Sequence, residues 1–479
     1  MMDAHGRGTH GMTLALTGSG LTIDDVVRVA RGGKPVSLDP AALDRMAAAR
    51  AVVERTLADG IEAYGVTTGV GVRKSFRVTA DGHEALLLRQ HLIAQGPALP
   101  RDVVRAAALR LANALAQGLS AARPALAERV VRALNDDDLP PVRSLGSIGQ
   151  ADLAQTADLA VGLLGDEAPA PGEGIALLNQ NAFSTGHAAL AVHDARELLA
   201  TLDVAAALDL EALGANREAL LHPALASVRP SPGLGETLDR LCALLEGSGV
   251  TARSLQDPLS FRTIPQLHGA ARDALGFVVE QVERELNAHQ SNPLVVVDEG
   301  RLVSVGNFDV AALATALDLA RLVVAQVLTS AAERSVKLLQ APLTGLPEGL
   351  GEYPGLAESA LSELGIAVQA IAAEARLLAQ PVSLELVSTT QAEAIEDRTT
   401  MAPLAARRLS DQVALGRRVL SIELLLATQA CDLRAEPLAP GTARAHAIVR
   451  ERAPFVGAGH PLPDLEPLVE LVAEGGLLG

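Results

Sequence analysis

At 479 residues with 49% apolar content, the chain is long enough to bury a large core, or two to three domains' worth. Its formal charge of -17 argues against a nucleic-acid or anionic-membrane partner, because both bind a net basic surface and no run of Lys and Arg offsets the excess locally. Ala and Leu dominate, Trp is absent and only Tyr64 and Tyr353 carry a phenol, a bias toward helix over strand that predicts an almost entirely α-helical protein.

In chain order, residues 1–12 read as a disordered leader without a charged-then-apolar signal pattern. Asp39-Pro40 followed by apolar residues at helical spacing predicts a capped helix running to Gly60. The loop from Tyr64 to Gly71 holds three glycines and a lone phenol, which suits a lid that must take unusual backbone angles. Helices are expected at 83–95, 101–119 and 124–135. The small-residue turn Gly146-Ser147-Ile148-Gly149 then leads into a helix from Asp152 to Leu164, with Asp152 placed to cap it or face its positive end.

Gly172 to Asn181 forms a polar cluster before a helix to about residue 202, and long apolar-periodic helices follow at 270–288, 308–339, 356–379 and 409–432. The apolar window Val310 to Ala331 is interrupted by Asp318 and Arg321, so it reads as a buried core helix and not as a membrane span. Cys242 and Cys431 lie far apart in apolar helical contexts and read as reduced, buried thiols of a cytoplasmic protein. His268 and His289 have no metal-ligand spacing, so no metal is expected.

Three further polar islands interrupt the second half: Leu255 to Arg262 with Pro265-Gln266, Asn292-Pro293 with Gly306-Asn307-Phe308, and Ala394 to Met401. Each alone reads as caps and interface ion pairs; together, in a helix-rich chain, they suggest a composite site. The succession YGVTTGVG, RQH, GSIG, EGIALLNQN, LQDPLSFRTIPQ, NPLVVV, GNF and IEDRTTMAP resembles the aromatic amino acid lyase family, closest to its histidine ammonia-lyase branch, over nearly the whole chain. The resemblance implies an all-α, ammonia-lyase/fumarase-like fold. Residues 13–202 would form an N-terminal domain carrying the active-site loops, and 203–479 a central helical bundle with C-terminal helices. It also implies a homotetramer whose sites draw on three subunits.

Family members carry MIO, a methylidene-imidazolone electrophile made by cyclising an Ala-Ser-Gly tripeptide between a GSVG-like turn and Asp-Leu-Ala. Here either one residue of the tripeptide is deleted or Gly149, Gln150 and Ala151 stand over it; under neither alignment is there a serine to dehydrate followed by a glycine to close the ring, so MIO is expected to be absent. Leu259 replaces a catalytic tyrosine of the family. Other positions match. Tyr64 corresponds to the lid tyrosine that acts as general base, Asn179 to the asparagine beside MIO, and Arg262 to the carboxylate-binding arginine. Gln256, Phe308 and Glu396 correspond to pocket residues, and His91 to the substrate-side histidine of histidine-type members. A phenol titrates near pH ~10, so Tyr64 needs a positive helix end or a cation to serve as base.

The expected function is an MIO-independent enzyme of lyase or cyclase type acting on a small carboxylate-containing, amino-acid-derived substrate. The alternatives are a catalytically silent, ligand-binding or hetero-oligomerising relative and a histidine-type amino acid ammonia-lyase.

Overall fold

The computed structural model describes residues 13–78, 82–358, 360–384 and 395–478, so the expectations for residues 1–12 and for Ala394 lie outside the described residues. The chain is 60% helix, and its strands are short two-stranded pairs. Helices form where composition and capping agree. Pro40–Ala58 starts as its sequence dictates, with the Asp39 carboxylate accepting the Ala41 N–H at 2.9 Å. Arg101–Ala116 is buried from Val103 to its end, and its run of alanines lets Ile23–Ala30 and Pro124–Asn135 pack closely on it. Arg105 extends from it to carbonyls at the ends of both neighbours, Val29 at 2.9 Å, Ala30 at 3.0 Å and Leu134 at 3.0 Å, groups that a helix C-terminus leaves without a partner.

Two expected helices are shorter than periodicity implied. The one begun at His83 ends at Gln90, and Gln95–Ala98 pairs antiparallel with Arg143–Leu145 instead. Gly96 takes a φ of +81°, and Pro97 follows it, so helix cannot continue there. The helix expected from 356 begins only at Leu364.

The chain divides into two compact units. The first comprises the described parts of Met1–Leu190, Val279–Thr315 and Val382–Ala406; the second comprises Ala191–Val278, Ala316–Pro381 and Arg407–Gly479. The two units are thus interleaved in sequence, where two consecutive blocks, 13–202 and 203–479, were expected. The physical reason is that the long helices Ala182–Leu213, Ile264–Leu286, Ala311–Leu338 and Ala402–Arg434 each run through a boundary.

The second unit buries charge in compensated groups. The fully buried Arg334 guanidinium meets Asp209 at 2.7 Å and Glu423 at 2.6 Å. Burial, with the Glu423 charge, pushes the Asp209 carboxyl well above its ordinary range. Among the described residues Ala311–Leu338 is the one helix long and apolar enough to cross a membrane, but 67% of its apolar window is buried. Its Arg321 pairs with Asp318 and donates to the carbonyls of Leu378 at 2.6 Å and Gln380 at 3.0 Å, which is the bonding of a core helix. Both cysteines are free, but only Cys431 is buried; Cys242 lies on the outward face of Pro232–Leu245 and is exposed, contrary to expectation. His268 is a satisfied core histidine on one side, its Nδ1 2.8 Å from Asp203.

Candidate active site

The Tyr64 loop belongs to the first unit and is anchored at its base. Ala63 and Val66 pack with Val52, Val53 and Ile175, and the Thr67 hydroxyl accepts the Ala63 N–H at 2.8 Å while donating to Ile61 at 2.9 Å. Gly65 has a φ of +66°, and a Cβ there would stand 3.0 Å from Ile175, so the loop's course past Ile175 requires glycine. The half-buried Tyr64 hydroxyl accepts the Gly71 N–H at 3.0 Å. Burial raises its pKa, the Gly71 N–H opposes this, and the Glu396 carboxylate adds to the rise. Burial first, and then the negative charge of Glu396, thus act on Tyr64 in the direction opposite to that of the cation or positive helix end that sequence reasoning required. Tyr64 is a neutral phenol whose own proton remains available to donate.

The Gly149-Gln150-Ala151 turn is held from both sides. Gly149 and Ala151 both sit at positive φ, +84° and +59°, and bridge each other across the turn. The Thr400 hydroxyl donates to the Gly149 carbonyl at 2.7 Å, and the Met401 N–H to that of Ile148 at 2.9 Å. The Gln150 amide donates to Asp309 at 3.1 Å, and Arg398 reaches the same carboxylate oxygen at 3.3 Å. Burial opposes ionisation of Asp309, but Gln150, the Ala311 N–H and Arg398 together hold its pKa below the ordinary value. Asp309 escaped notice in the sequence, its one signal being adjacency to the GNF island, while Thr400 lay within the Ala394 to Met401 island without a role of its own.

Asp152 occupies the first position before Leu153–Leu164 yet does not cap that helix, contrary to expectation. The Ser147 hydroxyl accepts the Ala154 N–H at 3.2 Å in its place. Asp152 instead receives the N–H of Ser184 at 2.7 Å and its hydroxyl at 2.9 Å, so it serves a later helix, Ala182–Leu213. Burial pushes its carboxyl up to about 6 against these bonds.

Asn179 donates to the Asn292 carbonyl at 3.2 Å, and Asn181 to that of Phe308 at 2.7 Å, which joins the Gly172 to Asn181 cluster to both parts of the Asn292–Phe308 island. His91 closes the end of His83–Gln90, with Nδ1 2.8 Å from the Leu87 carbonyl of its own helix. Glu84, unremarked in the sequence, is buried, and its two oxygens accept the N–H groups of Gly172 at 2.8 Å and Gly174 at 2.7 Å. Burial lifts its pKa to about 7 despite those bonds, with the Glu173 charge adding to the rise.

Gln256, Leu259 and Arg262 lie in the second unit, where they line a cavity of about 340 Å³ together with Asp257 and Gln266. Arg262, at the end of the short helix Leu259–Arg262, donates through Nη1 to the Gln256 side-chain oxygen at 3.0 Å. Leu259 is 64% exposed, an unusual setting for a large apolar side chain.

The family model for aromatic amino acid lyases matches residues 21–170 and 167–451. The histidine ammonia-lyase of Symbiobacterium thermophilum is 37% identical over 494 residues, covering 96% of this chain and 97% of that protein. Among solved structures, a tyrosine aminomutase from Streptomyces globisporus superposes with a TM-score of 0.91 at 27% identity, covering 98% of each chain. Ergothionase from Treponema denticola superposes equally well, with a TM-score of 0.91 over 98% of this chain and 100% of that one; at 24% identity it supports the fold alone.

Proposed function

Since this chain belongs to the aromatic amino acid lyase family, we propose that it is a lyase or cyclase that works without MIO on a small amino-acid-derived carboxylate. The observation that carries this reading is the chemistry of the 149–151 turn. A methylidene forms only by loss of a β-hydroxyl, and the ring closes only on a free glycine amide. Gln150 has no β-leaving group, its side-chain amide instead bonding Asp309, and the residue that follows it is not glycine but Ala151, which brings a buried methyl at a φ of +59°. The residues present do not fit the group.

Without that sink, a primary amine is a poor leaving group, so the substrate must already be activated by a carbonyl, by conjugation or by a better leaving group. Tyr64 then serves as proton donor. Its hydroxyl gives up its proton to the substrate, and the Gly71 N–H stabilises the phenolate left behind; the phenolate takes a proton back in the second half of the reaction. In the first unit Asn179 and Glu396 are the polar groups that accompany Tyr64; in the second, Arg262 is the carboxylate anchor by family correspondence; and the assembly is a cytoplasmic homotetramer.

The 37% identity to a histidine ammonia-lyase keeps a histidine-type reaction as the competing reading. The purified protein is expected to lack the near-ultraviolet absorbance of MIO and to release no ammonia from histidine, tyrosine or phenylalanine. Formation of urocanate overturns the MIO-independent reading. On a substrate found by screening amino-acid-derived carboxylates, Tyr64→Phe is expected to abolish turnover with the oligomer intact; turnover at the wild-type rate overturns the assignment of Tyr64.

A further inference from the structure

His193, Asp194 and Glu197 occupy one turn of Ala182–Leu213, in the part of that helix that belongs to the second unit, and a donor atom from each lies within 4.8 Å of the other two. His268 and His289 have no metal-ligand spacing; His193 and Glu197, four residues apart on a helix, do. The imidazole Nε2 stands 3.4 Å from the Glu197 carboxylate. That is longer than an ordinary N–H···O bond of about 2.7–3.2 Å. It is the edge of a tetrahedral zinc site, where two donors each at about 2.0–2.2 Å from the ion lie about 3.3–3.6 Å apart.

Asp194 brings the third donor. Its carboxylate lies 3.6 Å from the Arg417 guanidinium on the helix Ala402–Arg434, the kind of outer-shell partner that orients a ligating carboxylate. The three side chains are 21%, 12% and 36% exposed in chain order, so an ion can enter from solvent while its donors stay largely held by packing. One imidazole and two carboxylates form a mixed nitrogen and oxygen set. Such a set suits zinc and its transition-metal neighbours better than magnesium, which favours oxygen alone, or copper(I), which favours sulfur.

We propose that His193, Asp194 and Glu197 form a binding site for a divalent transition-metal ion of the zinc class, separate from the acid-base chemistry of Tyr64. The two carboxylates balance the charge of the dication, and three protein donors leave a position for water. Bound there, the ion cross-links one turn of Ala182–Leu213 and, because Arg417 holds Asp194, braces that turn against Ala402–Arg434. Binding to the folded chain alone then raises its stability.

The test is calorimetric titration of the metal-stripped, untagged, full-length protein with zinc chloride, repeated with cobalt(II) and followed by its visible absorption. One equivalent of zinc per chain is expected to bind, and magnesium chloride is expected not to. His193→Ala should weaken zinc by at least about 100-fold, more than the loss of an outer-shell partner costs, and should abolish the cobalt(II) spectrum. Thermal melting without metal should show the variant folded like the wild type, and added zinc should raise the melting temperature of the wild type alone. If His193→Ala fails to fold, Glu197→Gln, which keeps the shape of its side chain, carries the same expectations. Absence of zinc binding by the wild type overturns the proposal. So does zinc affinity that stays within about threefold of wild type in the folded variant, which would place the ion on other residues of the chain.

Discussion

Gly149→Ala tests whether the 149–151 turn is fixed as described. A Cβ at Gly149 would lie 2.1 Å from the Thr400 hydroxyl and 3.0 Å and 3.1 Å from the backbone nitrogens of Ala402 and Met401, and the residue sits at a φ of +84°. The left-handed backbone costs a non-glycine residue about 1–2 kcal/mol. Displacing Thr400 breaks its bond to the Gly149 carbonyl and adds about 1–2 kcal/mol more. The expected loss is about 2–4 kcal/mol. A single melting midpoint is a poor reporter for a chain of two units, so the assay is hydrogen exchange at the Met401 amide, which bonds to Ile148 across the turn. Exchange there should speed up by about 30- to 1000-fold. In a Thr400→Ala background the side-chain clash is gone, and Gly149→Ala should cost only the backbone part, about 1–2 kcal/mol. An exchange rate within about threefold of wild type refutes the reasoning. Any attempt to restore Ala-Ser-Gly at 149–151 inherits the same cost at its first position.

Glu84 makes the first unit sensitive to pH. Its folded pKa, about 7, lies above the ordinary 4.5, so its contribution to stability is fully present below about pH 4.5 and is lost as pH rises through 7, a loss of up to about 3 kcal/mol. Denaturant unfolding at pH 5 and pH 8 should reveal this drop in the wild type, and Glu84→Gln should flatten it; an unchanged pH slope in the variant refutes the assignment. Asp152→Ala strands the Ser184 N–H and hydroxyl in a buried place and should cost about 2–3 kcal/mol in the same unfolding measurement. A cost below about 0.5 kcal/mol would mean that Asp152 does not organise the start of Ala182–Leu213.

What was legible in the sequence was whatever depends on neighbours along the chain. Asp39-Pro40 announces its helix because cap and first turn are adjacent, and the long Ala- and Leu-rich runs announce theirs through propensity. The polar islands could be seen as islands, and the contacts of Asn179 with Asn292 and Asn181 with Phe308 join them. The partners of charges were not legible. Asp152 stands where a cap belongs, and only folding reveals that its carboxylate serves a helix beginning thirty residues later. Glu84 looks like any surface glutamate until the Gly172–Gly174 backbone folds over it. Tyr64 was expected to need a cation, but the charge acting on it comes from Glu396, more than three hundred residues away.

These charge placements bear on what the turn now does. Gln150, Gly149 and Ile148 bond to Asp309, Thr400 and Met401 in turn, so the segment that would carry an electrophile in relatives is a cross-link between distant parts of the chain. On the reading proposed above, a turn so committed serves as a wall of the site. The proposed chemistry then falls to Tyr64, a phenol that burial, with the Glu396 charge adding to it, keeps protonated, and whose oxygen is supported by the Gly71 N–H. Such a phenol favours donating a proton over abstracting one in the resting enzyme. Additions and ring closures, in which the substrate must first be made more electrophilic, suit it better than an elimination that begins with loss of a weakly acidic β-proton. A rate that falls as pH rises through the raised phenol pKa would accord with proton donation, whereas a rate that climbs through it would assign Tyr64 as the base.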